Sequence, residues 1–149
     1  MEQPSFADQA ETLFRQGYTC AQSVLAVCAP HFGVSREEAL RLASTLGAGC
    51  GGLRETCGAV TAMAAVLGLQ LGGTEPMDAK TKAELYRQVQ AAIADFDERF
   101  ATHNCRELLR RASIAKRAGE APEERSSAYY ARRPCIAFVR FCAERVMRT

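Results

Sequence analysis

The chain has 149 residues, seven of them cysteine, with 19 basic against 17 acidic side chains and a formal net charge of +2. A chain of this length suits one domain and buries about two-thirds of its unfolded surface, so neither disulfides nor a structural metal are needed to hold it together. The near-balance of charge carries no nucleic-acid signal, and the longest apolar run, Ala59 to Leu69, is too short for a membrane span.

Met1 to Asp8 lacks a basic segment followed by an apolar one, so no signal peptide is expected. Phe6, Ala10, Leu13 and Phe14 step at helical spacing up to Gly17, which stops the first helix. A second helix is expected from Cys20 to about Pro30, with Val24, Leu25, Val27 and Cys28 on its apolar side. A third starts after Ser35, with Glu38 three residues on, and carries Ala39, Leu40, Leu42, Ala43 and Leu46.

The glycine-rich run 47–52 ends it. From about Cys57 to Leu71 the residues are nearly all small and apolar, which predicts a buried helix at the centre of the bundle. Gly72, Gly73 and Pro76 break the chain before a long amphipathic helix from Asp78 to about Phe100. A short helix follows from Cys105 to about Ala112. Residues 117–133 are polar and charged and read as a loop or mobile linker. A last helix runs from Pro134 to about Val146.

The expectation is therefore an all-α fold, a single-domain bundle of six to seven helices spanning 1–149, with a central Ala/Val/Leu helix and no strands. The basic excess of the last third, including Arg106, Arg110, Arg111, Arg132 and Arg133, reads as solvated helix surface.

Four cysteines fall at helix starts. Thr19-Cys20-Ala21-Gln22 is a capping-box arrangement with cysteine at the first helical position, and Asn104-Cys105-Arg106-Glu107 repeats it. Thr56-Cys57 keeps the cap, and Pro134 places Cys135 in a first turn. Unpaired N–H groups and the helix dipole stabilise a thiolate there, making it a better nucleophile or ligand. Cys28 and Cys142 lie on apolar helix faces and read as core, whereas Cys50 sits among glycines that either expose it or simply make a turn.

No CxxC, CxxCH or phosphate loop is present. His103, two residues before Cys105, reads as a solvated loop residue rather than a base. In the cytoplasm, where thiols stay reduced, such a pattern points to catalysis or metal binding before a disulfide framework. Cysteines converging from separate helices suit either a reversible disulfide or ligation of an iron–sulfur cluster or zinc, and the residues leave both open.

The stretches from Phe14 to Leu25, Thr56 to Ala62 and Asn104 to Leu109, with the late Cys135, resemble the redox-active family named for a C-GCAxxG-C-C cysteine pattern. The resemblance runs from about Phe6 to Phe141. It implies a helical domain with redox activity through Cys20, Cys57, Cys105 and Cys135. Related domains sit beside haem and iron–sulfur centres in split-Soret cytochromes, which keeps a cluster among the cofactors it implies. Two positions depart from the pattern: Ala62 stands where glycine is preferred, and Cys50 lies in a loop usually made of glycines and small residues.

The leading expectation is a cytoplasmic thiol-redox protein, in catalytic form a thiol-dependent oxidoreductase. Cys57 is the favoured thiolate, with Cys20, Cys50 or Cys105 as its resolving partner and no cofactor required. The alternative is a binding protein whose Cys20, Cys57, Cys105 and Cys135 hold an iron–sulfur cluster or zinc. A third is a helical scaffold that dimerises. The expected partners are an unidentified redox protein and a second copy, without nucleic acid or membrane.

Overall fold

A computed structural model describes residues 2–148; Met1 and Thr149, the ends of the expected domain, lie outside it. The helices are α1 (Phe6–Arg15), α2 (Cys20–Cys28), α3 (Arg36–Ala43), α4 (Gly58–Leu71), α5 (Ala79–Phe100), α6 (Cys105–Arg111), α7 (Ser127–Arg132) and α8 (Cys135–Met147). A 3-10 turn, Ala29–Phe32, extends α2. Among the described residues the one extended pairing is a single antiparallel bridge between Thr56 and Asn104. The fold is thus the all-α bundle expected. The helix additional to those expected, α7, lies inside the stretch 117–133 expected as a loop.

Side-chain caps set most helix starts. Ser5, Thr19, Ser35, Asp78, Asn104 and Ser126 each accept a backbone N–H from the third residue on. At α2 the box is complete, because the Gln22 side chain accepts from the Thr19 N–H in return. At α4 the residue count shifts by one. Cys57 is itself the N-cap, since its N–H is already committed to the His103 carbonyl (2.8 Å).

The most enclosed helix is α2, packed against α1, α3, α4 and α8, with every residue from Ala21 to Cys28 buried except Gln22. This qualifies the expectation that α4 is the centre. Its first part is sealed, with Ala59, Val60, Ala62 and Met63 at 0 % exposure, but Leu69 and Leu71 reach 40 % and 46 %. Length explains it: α4 outruns α2 by five residues, about 8 Å at the helical rise, and its last turn passes the end of its cover.

Helix α5 is held at its C-terminal end, where Phe96 and Phe100 stack on Phe138 and Phe141 of α8 and Arg145 pairs with Asp95. No helix among the described residues is long and apolar enough to cross a membrane.

Candidate functional site: a cysteine-lined cavity

The Thr56–Asn104 bridge organises the site. Besides the Cys57 N–H, it engages the Cys105 N–H on the Glu55 carbonyl (2.6 Å) and the Arg106 N–H on the Arg54 carbonyl (3.3 Å). The starts of α4 and α6 are thereby laced together, and Cys57 and Cys105 become neighbours in space. Packing of α2 on α4 adds Cys20, and α8 adds Cys135. All four line one cavity of about 400 Å³. Cys50 is exposed and outside it, and Cys28 and Cys142 are buried in the core. All seven are free thiols.

Cys20 is the cavity cysteine whose pKa is lowered. Its pKa falls from 9.0 to about 6, first because the Cys57 thiol donates to it, and then because the backbone N–H groups of Ala48, Ala21 and Ala59 face its sulfur. Two helix N-termini, those of α2 and α4, converge on one atom. The third donor needs the loop between α3 and α4. Ala48, Cys50 and Arg54 adopt left-handed backbone there, at about 1 kcal/mol or more apiece, within a run that includes Gly49, Gly51 and Gly52.

Two glycines allow the close approach. A Cβ on Gly58 would lie 2.6 Å from the Cys20 sulfur and 2.9 Å from the Leu46 carbonyl oxygen. One on Gly47 would lie 2.7 Å from the Thr19 Cβ.

The other three cavity cysteines hold their protons. Cys57 is raised well above its ordinary value, first by donating to Cys20 and then by burial. Burial pushes Cys135 up to about 12, with the Cys20 charge adding to it and Arg133 opposing. Burial likewise raises Cys105, against the Arg54 guanidinium, whose Nη1 donates to its sulfur at 3.7 Å. One charged sulfur among four is therefore the arrangement favoured in the cavity.

The remaining wall was not legible as a site. Arg54 and Arg133 are 5 % and 7 % exposed, so Arg133 corrects the expectation of a solvated basic surface. Its guanidinium lies 4.6 Å from the Tyr129 ring centre and donates to Glu123 at 3.2 Å. Above the sulfurs, residues 119–125 form a strap. Arg125 fastens it, stacking on Phe14 and Tyr129 and donating to the carbonyls of Phe14 and Tyr18, both at 3.1 Å. A backbone bond from the Gly119 N–H to the Gly52 carbonyl (2.9 Å) fastens its other end. His103 turns its ring to Asp97 (2.9 Å) and only its carbonyl serves the site.

The cavity also tests the metal reading. Among the described residues no three Cys, His, Asp or Glu side chains form a group that could hold a metal ion. The four cysteines line the cavity without forming such a group.

Fold and cavity together define an all-helical protein built around a polarised cysteine pair. Residues 18–149 match the model of the family described as "Putative redox-active protein (C_GCAxxG_C_C)", and the chain belongs to that family. No curated protein and no solved structure matches it.

Proposed function

We propose that this member of a redox-active family works by thiol–disulfide exchange, with Cys20 as the attacking thiolate and Cys57 as the resolving thiol, in a reducing cytoplasmic setting. The observation that carries the reading is the convergence of two helix starts and the Cys57 proton on the Cys20 sulfur. This reverses the roles expected from sequence, where Cys57 was the favoured thiolate.

A thiol with a pKa of about 6 is mostly ionised at neutral pH, yet basic enough to remain a good nucleophile. The Cys20 thiolate attacks one sulfur of a disulfide RS–SR′, forming the mixed disulfide Cys20–S–SR and expelling R′S⁻. That step removes the charge on Cys20. The hydrogen bond to that sulfur is the first cause holding the proton on Cys57, and its loss frees the proton to leave for R′S⁻ or solvent. The Cys57 thiolate attacks the Cys20 sulfur, closing the intramolecular disulfide and releasing RS⁻. Two thiols are oxidised and one disulfide is reduced to two thiols.

The test is metal analysis and a thiol count on protein purified without oxygen, followed by peptide mapping after disulfide treatment. The expected result is no stoichiometric metal, two thiols lost reversibly per chain and a Cys20–Cys57 peptide. In Cys57→Ser the mixed disulfide on Cys20 should accumulate. Iron with sulfide, bound zinc, or undiminished loss of two thiols in Cys20→Ser would overturn the reading.

A further inference from the structure

Thiol exchange at Cys20 and Cys57 does not explain why two arginines are buried in the same wall. An uncompensated buried cation costs several kcal/mol. Arg133 is compensated in part by Glu123, although that carboxylate also serves Lys116 and Arg132. Arg54 has no carboxylate partner among the described residues. Its side chain meets the Cys105 sulfur through Nη1, and its Nε, like that of Arg133, is sealed from solvent and donates to nothing. A buried guanidinium that lines the cavity without a carboxylate partner points to an anionic acceptor that the protein itself does not supply.

The cavity indicates what that acceptor belongs to. About 400 Å³ is within the range of small-molecule sites. Phe14, Leu108, Leu109 and Phe138 give it apolar walls that a bare inorganic ion would leave uncovered. A guanidinium fork matches a planar carboxylate, and Cys20 with Cys57 lines the same space. We propose that the cavity seats a small organic disulfide by its carboxylate on Arg54, with Arg133 beside it, and presents its sulfurs to Cys20. The inference rests on the thiol-exchange reading and names its oxidant: a carboxylate-bearing disulfide that leaves as two thiols.

Three disulfides of similar length test it: dithiodiglycolate (anionic), bis(2-hydroxyethyl) disulfide (neutral) and cystamine (cationic). The rate of Cys20–Cys57 closure by each is measured by mass spectrometry and divided by its rate with dithiothreitol, which removes intrinsic reactivity. Wild type should prefer dithiodiglycolate over the neutral reagent by about tenfold or more, the size expected for a charged hydrogen bond, with cystamine slowest.

In Arg54→Gln the preference should fall to within about twofold, and in Arg54→Lys it should fall only part-way, because charge without the fork remains. Arg111→Gln, the same charge change at an exposed position on α6, should leave it intact. Equal corrected rates in wild type would overturn the carboxylate seat while leaving thiol exchange standing, and this comparison needs no variant to fold. A preference that persists in folded Arg54→Gln would overturn it too. If none of the three oxidises the pair, thiol exchange itself fails, and the seat with it.

Discussion

Gly58 is the residue on which the thiolate depends most directly. It opens α4, and the absence of its Cβ lets the Cys20 sulfur lie against the N-terminus of that helix. In Gly58→Ala the added carbon would have to displace either that sulfur or the Leu46 carbonyl, an overpacking that costs about 1–3 kcal/mol. Urea unfolding should show that loss, and the pH profile of iodoacetamide alkylation should move the Cys20 pKa from about 6 back toward 9.0. Gly68→Ala is the counterpart in the same helix. Its Cβ would meet nothing within 4 Å, so it should stabilise by roughly 0.5–1 kcal/mol and leave the alkylation profile unchanged.

The two buried arginines show where residue-level reading stops. Arg54 and Arg133 have the composition of surface, and only the fold reveals that a loop of left-handed residues tucks the first inward while α7 carries the second down onto Tyr129.

At the scale of elements, the caps were the legible part. Thr19, Ser35 and Asn104 marked three helix starts because a side chain bonding three residues ahead is a local event. The strap with α7 was not legible, because six helical residues cannot hold themselves and this helix is held from outside. Tyr129 and Tyr130 fold back on Phe14, with Arg125 against all three rings.

Arg125→Ala removes that fastening. Deuterium uptake over 119–133 should rise, and alkylation of Cys20 at fixed pH should speed up several-fold. Uptake in α2 should stay near wild type. A uniform rise through the whole chain would mean that Arg125 supports the bundle rather than the strap.

For the molecule as a whole, the cysteines make stability depend on pH with a defined sign. Cys20 has a lowered pKa, so its contribution is fully present above 9.0 and is lost as the pH falls through about 6. Cys28, Cys57, Cys105, Cys135 and Cys142 have raised values. They stay protonated when folded while the unfolded chain would ionise, so their effect turns destabilising above about 9.0. The unfolding free energy of wild type minus that of Cys20→Ser should therefore climb between pH 6 and 8 in urea titrations. Wild-type melting should decline above pH 9. A difference that stays flat across the first window would refute the lowered pKa of Cys20. Architecture was legible at this scale because helical periodicity fills nearly the whole chain. The cavity was not, since its walls come from segments that no local pattern connects.

Sulfurs drawn from α2, α4, α6 and α8 have a consequence in time. A chain emerging during synthesis carries seven ordinary thiols, each mostly protonated at neutral pH. The Cys20 anion exists only once α2 has docked on α4 and the loop between α3 and α4 has turned Ala48 toward it. Nucleophilicity thus arrives with the native fold and departs with it, and the half-made protein is spared the cross-linking that an early thiolate would invite.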